Sequence, residues 1–395
     1  MGLGVKIGNG EMKTLQISEI YRRKLLNYAD SFYELAKSYA GEYCPGENED
    51  RRDLIAEKRL FENRQVLQCH LREVGRIMTD VAGEVFCSRP VELRLERLVR
   101  NAMKEEGILV ENPCYLCDDD GREALALALR TQRGANISAQ EVADMLSVLL
   151  DRRLKPAVSS PLFVDREEHI FLFEKEPAYV ALTGFARAAR EGENTSGDNF
   201  AVTETDRGKL VVMLSDGTGS GEQAGKDSDR VLDLMERFLE AGYGTDSAIE
   251  TVNHAFYLLG EDDNHPTLDV CELDLYRGVC EIRKVGAAVS FLKSGDGVEC
   301  LSEGNLPLGV FQEPVFHPIR KLLQEGDYII MVSDGVVDAF GEQNYEEALG
   351  ALLEQMQEQN PNELAERILR TAVIVGGGHV RDDMTVGVVG IWRTD

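Results

Sequence analysis

The sequence contains no apolar run approaching the ~20 residues that a bilayer-crossing helix requires, so no transmembrane helix is expected within its 395 residues. Positive charge is scarce: 43 Lys and Arg stand against 70 Asp and Glu, for a formal net charge of −27. A field of that sign repels nucleic acid and anionic lipid, which counts against a nucleic-acid partner. Cysteine is present but unorganised. Cys44, Cys69, Cys87, Cys114, Cys117, Cys271, Cys280 and Cys300 are scattered, and Cys114-x-x-Cys117 has no second ligand pair at a zinc spacing. No secretory leader is legible, so reduced thiols in a cytoplasmic protein are expected. Cys271 alone stands at a Cys-x5-Arg spacing, with Arg277, but it lies inside the strand predicted over Thr267–Tyr276 and not in a phosphate-binding loop, which counts against a thiol nucleophile for phosphate chemistry.

What the chain does have is length enough for two domains with a buried core in each. Ile17, Ile20, Leu25, Tyr28, Phe32, Leu35 and Tyr39 recur at helical spacing and predict a first helix, ended by a loop containing Pro45 and Gly46. A second, longer helix carries Leu67, Leu71, Val74, Met78, Val81 and Val85 at alternating steps of four and three, a short a/d seam. That stripe either packs on the first helix as a hairpin or pairs two copies of the chain as a homodimer through the 48–85 helix. Beyond it, a helix, two strands and a helix capped by Ser138, with Glu141 completing a capping box, predict a small α/β unit. Short strands with helices inserted in pairs follow, the pattern of an α+β sandwich of two antiparallel sheets flanked by helices. The expected division is a helical linker or dimerisation region over 1–89, a small α/β regulatory unit over 90–170, and the sandwich over 171–395.

Within the sandwich, four aspartates fall at strand tips: Ser196-Gly197-Asp198-Asn199, Leu214-Ser215-Asp216-Gly217, Val332-Ser333-Asp334-Gly335 and Arg381-Asp382-Asp383-Met384. Each alone reads as a hairpin turn, because Asp-Gly is a common turn dipeptide. Ser-Asp-Gly occurs twice, however, each time directly after an apolar strand, and strands running to a common edge would bring both carboxylates to one spot. Clustered carboxylates repel one another unless a cation holds them, and hard oxygen donors select Mg²⁺ or Mn²⁺ over zinc. Glycine after Asp216 lets a backbone carbonyl approach an ion unobstructed. Residues 216–227 fit neither a calcium loop nor a phosphate-binding P-loop. Asp227 stands where the first needs Glu and the second needs Ser or Thr, and the glycine spacing is one residue too long for a P-loop.

In order, Ser-Gly-Asp-Asn, Ser-Asp-Gly-Thr-Gly-Ser-Gly-Glu-Gln-Ala, Leu306-Pro307-Leu308-Gly309, Ser-Asp-Gly-Val and Asp-Asp-Met-Thr-Val resemble the bacterial branch of the type 2C, or PPM, phosphatases. The helix opening at Gly221-Glu222-Gln223-Ala224 and the segment Thr183–Arg190 resemble the stage II sporulation protein E subfamily, with weaker signatures upstream. The resemblance implies a PPM-type α/β/β/α sandwich and a metal-dependent serine/threonine phosphatase. Its implied substrate is phosphoserine on a regulatory protein, an anti-sigma-factor antagonist, and its implied cofactors are two Mn²⁺ or Mg²⁺ ions that activate a water. Asp216 would bridge the ions, the Gly217 carbonyl would serve the second, Asp334 and Asp382 would complete the first, and Asp198 would hold an ion or its water. Asp216, Asp334 and Asp382 are thereby the candidate catalytic residues, and Asp383 is the weaker of its pair. Thr218 departs from the family, where histidine or methionine often stands. His379 is the only histidine near these motifs in sequence, and a structural or solvated role suits it equally well. Full members of the subfamily carry a membrane region, so the sequence reads as the soluble part of a tethered protein or as a shorter relative. The competing reading is a catalytically weak phosphatase-fold module that binds a phosphoprotein or scaffolds a partner; loss of a metal aspartate would favour it, and none is missing.

Overall fold

The computed structural model describes residues 25–37, 51–86, 88–117, 123–132, 136–157, 160–205, 208–219, 221–259, 265–341 and 345–394. It divides into two compact units, Met1–Glu176 and Pro177–Asp395.

The first unit begins with helix α1, described over residues 25–37, and helix α2, Arg51–Phe86; the expected Pro45-Gly46 loop lies outside the described residues. Ala29 and Ala36 of α1 are buried, as are Val66 and Ala82 of α2. Gly75 lies against the Tyr33 ring, where a Cβ would come within 3.0 Å. The buried stripe of α2 therefore runs through Val66, Gly75 and Ala82, beside the heptad seam rather than along it. Leu67 and Val81 of that seam stay 39% and 38% exposed. Next come β1 (Ser88–Pro90), α3 (Leu93–Glu105), β2 (Ile108–Cys117), β3 (Glu123–Thr131), β4 (Ile137–Ser138), α4 (Ala139–Leu150), β5 (Leu154–Pro156), β6 (Phe163–Val164) and β7 (His169–Lys175). One sheet runs β1-β2-β3-β7-β5, and α3 and α4 cover it with Val99, Met103, Val142 and Leu146. The capping box forms: Glu141 N donates to Ser138 Oγ at 3.1 Å and Ser138 N donates to Glu141 Oε2 at 2.8 Å. Strand β7 pairs with β3 and buries Phe171 and Phe173 in this core. Burial of those two rings puts the strand on the opposite side of the division from the 171–395 span read from the sequence.

The second unit contains β8 (Tyr179–Ala188), β9 (Asp198–Thr205), β10 (Lys209–Asp216), α5 (Glu222–Glu240), α6 (Thr245–Leu259), β11 (Leu268–Asp274), β12 (Val279–Val285), β13 (Ser290–Ser294), β14 (Gly297–Leu301), β15 (Ile319–Leu322) and β16 (Tyr328–Val332). It closes with α7 (Asp334–Ala339), α8 (Tyr345–Gln355), α9 (Pro361–Val375) and β17 (Met384–Arg393). Two antiparallel sheets run β15-β12-β11-β10-β9 and β14-β13-β16-β17-β8. Strand β10 shows why its sequence is a continuous apolar run instead of an alternation. Leu210, Val212 and Leu214 enter the core between the sheets with Ile282, Met331 and Val389. Val211 and Met213 point the other way, into a second core with Val231, Met235 and Ile249 of α5 and α6. Helices α8 and α9 cover the outer face of the other sheet through Leu349, Leu353, Leu364 and Ile368. The result is the expected α/β/β/α sandwich; α7 and β15 are additions that the sequence pattern did not announce. Between the sheets, the fully buried Lys284 Nζ donates to Asp269 Oδ2 at 2.6 Å and to Ser290 Oγ at 2.8 Å, joining β11 and β12 of one sheet to β13 of the other.

Candidate metal centre

Strands β9 and β10 pair so that Asp198 stands directly opposite Asp216. Residues facing each other across an antiparallel ladder have Cβ atoms about 4.5–5.5 Å apart, so this register alone sets two carboxylates side by side. Asp334 reaches them from the other sheet, as the first residue of α7 after the end of β16. Asp382 precedes β17, the neighbour of β16 in that sheet.

The electrostatics report the crowding. Asp198 is fully buried, and neither of its carboxylate oxygens has a hydrogen-bond partner among the described residues. Burial raises its carboxyl to about 6; the charge of Asp334 adds to the rise, and the nearby Ser333 and Thr385 hydroxyls pull the other way. Asp216 is driven to about 10, first by burial and then by the charges of Asp198 and Asp334. Asp334 is raised by loss of water around its carboxyl, although the residue as a whole stays exposed at the rim, and by the charge of Asp382. The four aspartates singled out by the motifs thus form one chain of like charges, Asp382 to Asp334 to Asp216 to Asp198.

Asp383 does different work from its neighbour. It is buried, and its Oδ1 accepts from Arg190 N at 2.9 Å while Oδ2 accepts from Gly197 N at 2.7 Å. Both oxygens hold backbone, so Asp383 anchors the loop that presents Asp198, and Asp382 stays half-exposed at the cluster. Gly217 explains the other tight approach: a Cβ there would fall 2.1 Å from the Ala224 carbonyl in the first turn of α5. The start of α5 is tied to the Asp198 loop by Ser228 Oγ donating to Gly197 O at 2.5 Å and by Asn199 Nδ2 donating to Gly225 O at 2.9 Å. Segment 265–267 braces the far side of the Asp216 turn. Thr267 N donates to Asp216 O at 2.8 Å, and His265 N donates to Thr218 Oγ1 at 2.7 Å. His379, the histidine suggested by the sequence, is exposed and paired with Glu191 Oε1 at 2.8 Å. His265 lies 47 residues from Thr218 in sequence, too far for any spacing argument to have found it.

An all-oxygen set with raised carboxyls and two buried oxygens that have no partner among the described residues is the donor chemistry of a hard divalent cation. Among the described residues no three His, Cys, Asp or Glu side chains close on one point in ligating geometry. An ion held here would keep several waters, as Mg²⁺ does.

The fold is the one seen in a solved PP2C phosphatase domain. Residues 206–392 match the family described as Stage II sporulation protein E (SpoIIE). It is 28% identical over 341 residues to stage II sporulation protein E of Bacillus subtilis (strain 168), covering 86% of this chain and 41% of that protein. Against stage II sporulation protein E of Priestia megaterium the identity is 28% over 337 residues, covering 83% and 56% respectively. The chain therefore spans about half the length of the curated relatives it matches. A solved structure of the PP2C phosphatase domain and a fragment of the regulatory domain of the cell fate determinant SpoIIE from Bacillus subtilis aligns with a TM-score of 0.63 at 26% identity. That alignment covers 88% of this chain and 97% of that one.

Proposed function

We propose that the chain is a metal-dependent protein phosphatase that hydrolyses phosphoserine on a regulatory protein, an anti-sigma-factor antagonist. The observation that carries this reading is the meeting of Asp198 and Asp216 on one ladder rung, with Asp334 charging the same spot from the facing sheet. Asp216, Asp334 and Asp382 would hold the ions with the Gly217 carbonyl, and Asp198 would hold an ion or its water. A pair of bound Mn²⁺ or Mg²⁺ ions supplies an activated water and neutralises the phosphoryl oxygens. The protein's own residues do the rest. The Asp383 anchor and the Thr267 brace keep the carboxylates in place, and the buried side of the cluster keeps bulk water from Asp198.

The substrate reading draws its support from the likeness to the sporulation proteins. The site supplies no thiol, so direct attack by water is the chemistry that fits. No described helix is long and apolar enough to cross a membrane. Pairing of two copies would run through α2, where Leu67 and Val81 remain exposed. Turnover of a phosphoserine protein with Mn²⁺, with chelator, and with Asp334→Ala tests the reading. Metal-dependent release of phosphate that Asp334→Ala abolishes is expected. Tight binding of the phosphoprotein by the wild type without any turnover would replace it with the binding-module reading.

A further inference from the structure

A departing serine oxygen leaves as an alkoxide unless something protonates it, and the residues assigned so far include no proton donor. Of the two histidines beside the site, His379 is exposed and engaged by Glu191. His265 is half-buried, and it and the next residue are held by three contacts. Its backbone N–H donates to Thr218 Oγ1, next to Gly217. The following Pro266 carbonyl accepts from Leu308 N at 3.0 Å. Its ring Nδ1 lies 3.1 Å from the Leu308 carbonyl. A carbonyl oxygen only accepts, so Nδ1 carries a hydrogen and Nε2 is the nitrogen left to take up and release a proton.

This gives the Leu306-Pro307-Leu308-Gly309 motif a chemical purpose. Leu308 is fully buried. Gly309 N donates to Asn253 Oδ1 at 2.9 Å, and Asn253, itself buried on α6, donates to the Phe311 and Gln312 carbonyls at 2.9 Å. The Leu308 carbonyl is therefore a fixed acceptor that holds the imidazole in one tautomer, on a residue whose backbone is tied to the Asp216 turn through Thr218.

The geometry points to His265 as the proton donor to the leaving serine oxygen, an assignment that rests on the phosphatase reading above. In the step, the water oxygen bonds to phosphorus as the bond between phosphorus and the serine oxygen breaks. The electron pair stays on the serine oxygen, which takes the proton from Nε2. The proton shed by the water passes to solvent, and the imidazole regains its own from solvent, leaving serine and inorganic phosphate.

The test uses the full chain with Mn²⁺ on two substrates, a phosphoserine peptide and p-nitrophenyl phosphate, whose nitrophenolate departs without a proton. His265→Asn keeps an N–H donor toward the Leu308 carbonyl but has no titrating nitrogen; His265→Gln is the second variant. Both are expected to lose about 100-fold or more in kcat on the peptide and to stay within about threefold of wild type on p-nitrophenyl phosphate. His379→Asn is expected to change neither rate. Equal losses on both substrates would assign His265 a purely structural role, and an unchanged peptide rate would remove it from the reaction; either result overturns the proposal. A wild type that hydrolyses neither substrate sinks the phosphatase reading itself, and the donor role with it. A wild type that turns over both, with variants that fail to separate them, sinks only the histidine.

Discussion

Replacing Asp198 by Asn should make the protein more stable whenever metal is withheld, although the same change should abolish turnover. The side chain is fully buried, without a hydrogen-bond partner among the described residues, beside two other carboxylates. Its carboxyl titrates near 3.8 when unperturbed and at about 6 in the fold. The unfolded chain therefore releases this proton first as pH rises, and the native state binds more protons between those two values. Stability must then fall from about pH 4 through about pH 6 and stay low above it. At about 1.4 kcal/mol per pH unit of separation, the loss is on the order of 3 kcal/mol. Asparagine is as unpartnered as the protonated acid but never charges, so it removes this loss and relieves Asp216 as well. Trp392 is the only tryptophan in the sequence and packs edge-on to Tyr328 at 5.8 Å in the second unit, so its fluorescence reports that unit's unfolding. In chelator at pH 7.5, Asp198→Asn is expected to melt about 6–12 °C above wild type, taking about 2–4 °C per kcal/mol for a domain of this size. Saturating Mn²⁺ should restore wild type by about 2.7 kcal/mol at one hundred times its Kd and help the variant less. If the chelated variant is no more stable than wild type, or wild type is as stable at pH 7.5 as at pH 4.5, the carboxylates are not crowded as described.

Three further expectations test the surroundings of the cluster. Asp383→Asn leaves one backbone N–H facing a donor and should cost about 1.5–3 kcal/mol in Trp392-monitored unfolding, whereas Asp382→Asn should stay within about 0.5 kcal/mol and lose metal-dependent turnover instead; the reverse pattern would exchange their roles. Gly217→Ala drives a Cβ to 2.1 Å from the Ala224 carbonyl and should destabilise by about 1–3 kcal/mol or more, read as a lower Tm with loss of activity. Lys284→Met strands the buried Asp269 charge and should cost about 3–5 kcal/mol, most of it recovered when Asp269→Leu is added, because a well-packed apolar pair replaces a buried ion pair at little net cost; denaturant titration of the single and double variants checks this.

Local order was legible in the sequence because it is written in near-neighbour spacing. The capping box at Ser138 and Glu141 satisfies backbone groups three residues apart, and the paired helices and the strand before each Ser-Asp-Gly declare themselves by period and by glycine. That four aspartates belong to one chemistry could be argued from their order and their strand-end positions. What sequence spacing cannot carry is register and the stacking of one sheet on another. The pairing of Asp198 with Asp216 depends on a ladder register, and the approach of Asp334 depends on how the second sheet lies over the first. The division of labour between Asp382 and Asp383 turns on which carboxylate finds backbone N–H groups nearly two hundred residues earlier. The stripe of α2 that α1 covers was likewise displaced from the heptad seam, because Gly75 admits the Tyr33 ring where a larger side chain would bar it. His265 is the extreme case: its neighbours in sequence say nothing of chemistry, and it is tied to the Asp216 turn only because the Leu308 carbonyl and Thr218 converge on it in the folded chain. The sequence determined which elements form and which residue types stand at their ends; tertiary packing decided which of those residues meet, since contacts between distant segments are set by burial and register and leave no periodicity behind.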